Sequence, residues 1–335
     1  MKSEKSYGSS DVDEATTSGS GIRPAVRPGL TTKSLLTPQF PALREGNDGA
    51  FSGTTQPARR PVRDLARLAQ QLSERDWSIL RSVDEHRFLS VAHIRSLHFG
   101  DQPESSGLRS AQRVLARLRR HRVLSCLPQR IGGHQAGSSA SVHYVDEVGD
   151  RLLRLDSGRT ARRRFEQPTQ RFLDHQLGIA DAHVAFVQAD RARQLELLRC
   201  EIEPTSWRTY VGVGGARLTL KPDLYAETAT PPGSDYVDAA FIEIDMGTEH
   251  LPTLLKKCRD YESYRRQGIE QERADNTFPT VVWSMTADTE AKAKRRRAAL
   301  RKAIAKDRHL PDGLFQIIAP HDLILAMQKG AEYDQ

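Results

Sequence analysis

With 335 residues, 38% of them hydrophobic and 28% charged, the chain has room for about two ordinary domains, with some sequence left over that packs no core. Its formal net charge of +7 favours an anionic partner, although a basic balance also serves solubility alone. No run of about eighteen apolar residues exists to span a membrane, and the polar start from Met1 to Ser10 is no signal peptide, so a cytoplasmic setting is expected.

Residues 1–61 are rich in Ser, Thr, Gly and Pro without a sustained apolar period, and they read as a disordered arm. Helical patterning begins at about 62. Ser73 precedes Glu74-Arg75-Asp76 as a cap, and Trp77, Ile79, Leu80 and Val83 supply an apolar stripe. A second helix is expected over 90–97 with Ser90 as its cap, and a third from near Ser106 through His121. A strand at 123–127, a Gly/Ser loop at 132–139 and a strand at 141–145 follow. Three helices and a hairpin predict a winged helix-turn-helix over 62–156.

A basic linker at 157–168, with Arg159, Arg162, Arg163 and Arg164, leads to a long helix from Thr169 to Gln194. Strands are expected at 195–203, 217–226 and 237–246, then a helix at 251–267, a strand at 280–284, a basic helix at 288–307 and a strand at 315–318. Gly212-Val213-Gly214-Gly215 reads as a hairpin turn and not a phosphate loop, since no helix follows it. The order α-β-β-β-α-β-α-β predicts a mixed sheet with helices on its faces over 169–325, and 326–335 as a tail. The expected fold class is therefore α+β. Cys126, Cys200 and Cys258 are far apart and form no metal-ligand spacing, which fits a reducing compartment.

Two features carry chemistry. On the third helix Arg109, Arg113, Arg117 and Arg120 fall within an arc of roughly 80°, opposite Leu108, Ala111, Val114, Leu115 and Leu118. Such a face is either merely solvated or set against a major groove, where arginine bridges phosphates or forks onto guanine. His134, Gln135 and Arg130 in the loop are lesser candidates for DNA contact. The second feature is acidic: Pro222-Asp223, then Glu243-Ile244-Asp245. Strand alternation puts Glu243 and Asp245 on one face about 7 Å apart, with Ile242 and Ile244 pointing to the core. Carboxylates in that position need positive compensation. A Mg²⁺ ion is one solution, and a salt bridge to Lys221, Lys256 or Lys257 is the other.

These residues resemble the PD-(D/E)XK nuclease superfamily and, more closely, the replication-relaxation family of bacterial plasmids and integrative elements, over nearly all of 70–320. The resemblance is carried by His86-Arg87-Phe88-Leu89, the arginine-rich third helix, His175-Gln176-Leu177, Pro222-Asp223, the strand end from Glu243 to Glu249, and a helix bearing Leu254 to Lys257 and Tyr261 to Tyr264. It implies a restriction-endonuclease-like second domain and a role in plasmid replication, DNA relaxation or transfer. It also implies Asp223 and Glu243 as metal ligands, with Asp245 third. The lysine of the nuclease triplet is replaced by Asp245, and Lys257 on the next helix is placed to bring an amine to the same space, with Lys256 as the fallback. His175 either faces that site or is a satisfied core histidine.

No Walker A sequence is present, and no His-hydrophobe-His pair accompanies Tyr261 or Tyr264, so these tyrosines read as packing or DNA-contact residues and not as covalent nucleophiles. The basic helix with Lys292, Lys294, Arg295, Arg296, Arg297, Arg301, Lys302 and Lys306 either lines a DNA path or is solvated. The expected partner is double-stranded DNA, with a relaxase or replication initiator alongside and no membrane; a dimer is compatible. Three readings are carried forward: a DNA-binding accessory in replication or mobilisation, a Mg²⁺-dependent endonuclease, and a winged-helix regulator whose second domain dimerises.

Overall fold

The computed structural model describes residues 25–26, 65–128, 141–163, 165–274 and 276–329. The predicted arm, apart from the two-residue strand β1 (Ala25–Val26), and the loop bearing Arg130, His134 and Gln135 lie outside the described residues.

Helix α1 (Leu65–Gln71) is followed by α2 (Glu74–His86), which begins where the sequence places its cap. Ser73 Oγ accepts from the Asp76 amide at 3.2 Å while the Asp76 carboxylate accepts from the Ser73 amide at 2.9 Å, a reciprocal box that satisfies two otherwise orphaned donors. Helix α3 (Val91–His98) starts the same way on Ser90 and His93. Helix α4 (Glu104–Arg120) begins two residues earlier than expected, directly after Pro103. Strands β2 (Leu89–Ser90), β3 (Leu124–Cys126) and β4 (Val142–Val145) form an antiparallel sheet in the order β2-β4-β3. Helix α5 (Glu147–Ser157) was not foreseen; it buries Val148, Leu152 and Leu153 and ends at Gly158, whose φ of 69° suits a left-handed cap. Ile79, Leu80, Val83, Ala111, Leu115, Leu118 and Leu152 share one core, and Ala180 of the next helix completes it.

That next helix, α6 (Gln170–Arg191), is capped by Thr169. The main sheet runs β11-β10-β9-β8-β5, built from β5 (Glu196–Ile202), β8 (Leu224–Ala229), β9 (Tyr236–Asp245), β10 (Thr280–Met285) and β11 (Phe315–Ile318). β5, β8 and β9 pair antiparallel, whereas β9, β10 and β11 pair parallel; β1 adds to β9 antiparallel. The protein is thus α+β with a mixed sheet. Ile242 and Ile244 of β9 pack under Ile179, Ala182 and Phe186 of α6 and under Leu323 and Met327 of α9 (Leu323–Lys329), which the sequence did not announce. Phe241 faces the other way, towards Leu254, Cys258 and Tyr261 of α7 (Leu251–Arg265) and Leu300 of α8 (Glu290–Lys306). The three cysteines named above are free.

One strand departs from expectation. The stretch expected at 217–226 splits into β7 (Arg217–Leu220) and β8, and β7 leaves the main sheet to pair with β6 (Arg208–Val211). Pro222 has no N–H to give a ladder, and its carbonyl instead accepts from Ser206 Oγ at 2.6 Å. Pro222-Asp223 therefore stands at the entry to β8 and not inside a strand.

Candidate functional site

Alternation along β9 sends Glu243 and Asp245 to the α7/α8 face of the sheet, where both are almost wholly buried. Glu243 Oε1 accepts from the Tyr261 hydroxyl at 2.6 Å, and Glu243 Oε2 lies 3.2 Å from Lys257 Nζ. Lys257 and Tyr261 are four residues apart on α7, so one helix face delivers both donors. Burial pushes the Glu243 carboxyl upward, and the charge of Asp223 adds to the rise; Lys257 and Tyr261 oppose it. Burial alone would lower the Lys257 amine, but Glu243, Asp223 and Glu249 outweigh it and hold the amine charged. Lys257 Nζ is 3.4 Å from Glu249 and remains about a third exposed, so solvent reaches this corner of the site.

Asp223 is buried as well. Its Oδ2 accepts from the Ile244 amide at 2.7 Å, which ties the entry of β8 to the far end of β9. Its Oδ1 is 3.1 Å from His175 Nε2 on α6; burial would lower the imidazole, but Asp223, with Glu203, raises it on balance. His175 reaches it because α6 lies close to β9: a Cβ on Gly178 would come within 2.9 Å of Ile244 Cγ2. Asp223, Glu243, Lys257 and His175 thus meet at one place, from four parts of the chain.

Asp245 has different company. Arg296 of α8 grips both its oxygens and the Glu249 carbonyl, and the Gly247 amide donates to Asp245 Oδ1 at 3.2 Å. Gly247 has φ 81°, and a Cβ there would meet Ala287 at 2.9 Å, so this turn calls for glycine. Of the lysines proposed as partners, Lys256 pairs with Asp260 on the surface and Lys221 lies over the Trp207 ring. Among the described residues no group of three or more His, Cys, Asp or Glu side chains is arranged to hold a metal ion. The oxygen pair Asp223 and Glu243 is still a hard-donor set of the kind that holds Mg²⁺ with water, and the repulsion between them is what a cation would relieve.

The arginines of α4 divide. Arg109, Arg113 and Arg120 are exposed and have no ion-pair partner among the described residues. Arg117 instead forks onto Asp76 of α2 at 2.5 and 2.7 Å, where Asp76 is buried. Leu108, expected on the core side, is 38% exposed, whereas Ala111, Leu115 and Leu118 are buried as expected. On α8 only part of the basic series faces solvent: Arg296 and Arg297 turn inward, Arg297 to the Met285 carbonyl and Glu290.

Sequence reading missed two participants. Tyr261 reads from the sequence as packing or DNA contact, although its i,i+4 spacing from Lys257 is a visible hint. Arg296 was one basic residue in a row of them, and nothing local singled it out.

A mixed α+β sheet with buried acids and an amine at the end of its central strand is the setting in which the family comparison is informative. The replication-relaxation family model matches residues 80–281, well over half of the chain. The protein belongs to the replication-relaxation family, and that membership suggests a role in plasmid or mobile-element replication or relaxation. No curated protein and no solved structure matched the chain. Among the described residues, no helix is long and apolar enough to cross a membrane.

Proposed function

We propose that this protein binds duplex DNA through a winged helix-turn-helix spanning 62–156 and acts in the replication, relaxation or transfer of a plasmid or mobile element, beside a relaxase or replication initiator. The observation that carries this reading is the face of α4. Arg109, Arg113 and Arg120 are held out in solvent, without acidic partners among the described residues, by a helix whose opposite side is locked into the core. A convex helix with unpaired guanidinium groups suits a major groove and its phosphates. A gel shift at low ionic strength with micromolar protein tests it: Arg109→Ala with Arg113→Ala should weaken binding and lower the salt slope by about 0.9 per lost phosphate contact. Unchanged binding would reject α4 as the reading helix, and no wild-type complex would reject the function.

A second reading is favoured by a separate observation, the meeting of Asp223, Glu243 and the charged Lys257 in a domain we take to be restriction-endonuclease-like. Here Asp223 and Glu243 would hold Mg²⁺, which when bound activates water and neutralises charge at phosphorus. Tyr261 orients Glu243, His175 and the Ile244 amide orient Asp223, and Lys257 brings a positive charge for a phosphate oxygen. Supercoiled plasmid incubated with purified protein and Mg²⁺ or Mn²⁺ decides: nicking that Asp223→Ala abolishes supports an endonuclease, and intact plasmid removes it.

A further inference from the structure

Between β4 and the start of α6 lies an aromatic group that neither reading uses. Phe165, in the connector before α6, stacks on Tyr144 of β4 with ring centroids 3.9 Å apart and an interplanar angle of 18°. Phe88 packs beneath, 6.5 Å from Tyr144 and 6.3 Å edge-on from Phe172 of α6. Phe88 is buried, as befits a core residue. Phe165 is not: it stays 44% exposed although one face is covered by Tyr144, so the remaining face is open to water. A residue that merely stapled the connector to β4 would bury its ring.

The surroundings are basic. Residues 158–172 contain five arginines and one acid, Glu166. Arg159 and Arg163 are held by Asp84, but Arg171 is exposed with no ion-pair partner among the described residues. The Arg87 guanidinium sits over the Phe172 ring at 5.7 Å, and Arg87 has φ 65°, a conformation L side chains seldom adopt. Strain of that kind gathers where a side chain must be aimed.

We infer that Phe165, backed by Tyr144 and set in an arginine-rich connector, is a stacking platform for an unpaired base of single-stranded nucleic acid. Every base has a π-face, and aromatic rings within a positive groove are how sequence-tolerant single-strand binding works. A duplex keeps its bases inside its own stack, so it has nothing to lay on Phe165. Phe172 and His175 are three residues apart on α6 and share its side, and His175 Nε2 is 3.1 Å from Asp223. The surface is distinct from α4, and it stands whether or not Asp223 and Glu243 cut.

The test uses the full chain and a short oligothymidine, read by fluorescence anisotropy, and the same oligomer carrying 2-aminopurine, whose emission is quenched when it stacks. Wild type should bind at low salt and quench. Phe165→Ala should weaken binding by about tenfold and abolish quenching, Phe165→Trp should retain both, and Arg171→Ala should weaken binding with a smaller salt slope. Duplex affinity should not respond to Phe165→Ala. Phe165→Leu covers the case in which the alanine variant loses stability, since leucine keeps the bulk and removes the ring; it too should lose quenching. Full affinity and quenching in Phe165→Leu, or no wild-type binding at micromolar protein, overturns the inference. Unchanged duplex binding in the α4 variants, with oligothymidine quenching intact, would sink the duplex reading and leave this one standing.

Discussion

Helix α4 and strand β9 both concentrate charge, and they dispose of it in opposite ways. Arg109, Arg113 and Arg120 stand in water with no partner from the described chain, whereas Glu243 and Asp245 are buried and each has its own donors. The same contrast recurs within β9. Asp245 has a two-pronged guanidinium and a backbone amide, a fully matched set. Glu243 has a single amine and a phenol, and it is pressed by Asp223. Charge matched from inside the molecule serves the architecture. Charge left open, or crowded by its like, is what an external partner can use.

The sharpest way to break this comparison is to remove one partner on each side of β9. Arg296→Ala strands Asp245 as a lone buried carboxylate and should cost about 3–5 kcal/mol in a urea titration. Glu243→Gln keeps shape and removes a repelled charge, so its stability should stay within about 1 kcal/mol of wild type or rise. A loss in Glu243→Gln as large as that in Arg296→Ala would make Glu243 architecture too. On α4 the expected split is smaller. Arg117→Ala leaves buried Asp76 without its guanidinium and should cost about 1–3 kcal/mol, whereas Arg113→Ala should stay within about 0.5 kcal/mol. For duplex affinity the order should reverse, and an Arg113→Ala variant that is both unstable and fully DNA-competent would erase the distinction.

The gentlest probe uses pH, and it concerns the seam where α2 and α3 meet α6. His86 Nε2 lies 2.9 Å from His183 Nδ1 with the rings stacked, His93 Nε2 bonds Asp181, and His98 lies near Arg75 and Arg191. Burial, then His183, lowers His86 to about 3, and burial lowers His183 to about 4. Both values lie below the ordinary 6.5, so as pH falls the unfolded chain takes up protons first. Their contribution is whole above about 6.5 and drains away as pH falls towards 4. The urea midpoint should therefore decline from pH 7 to pH 5 more steeply in wild type than in His183→Gln. Equal slopes would show that these histidines do not govern the seam.

Much of this was legible in advance where the cause is local. Ser73, Ser90 and Thr169 announce helix starts, because a cap needs only its own next turn. The α6–β5 and β9–α7–β10–α8–β11 order followed from periodicity and Gly/Pro punctuation. Helix α5 escaped although its 11 residues begin on an Asp146 cap; β6 escaped because it has only four residues, and β7 was fused to β8 because Pro222 alone marked the break.

By itself, then, the chain's sequence determined which residues alternate along β9, which face of α4 is apolar, and which acids must be compensated. Only the tertiary structure decided the partners. Arg296 was chosen for Asp245 from a row of basic residues 51 positions away, Lys257 over its neighbour Lys256 for Glu243, and Asp76 to claim Arg117 across 41 positions. The reason is physical: backbone geometry sets spacing within an element over a few residues, whereas the choice among chemically identical side chains is made by how whole helices dock on the sheet.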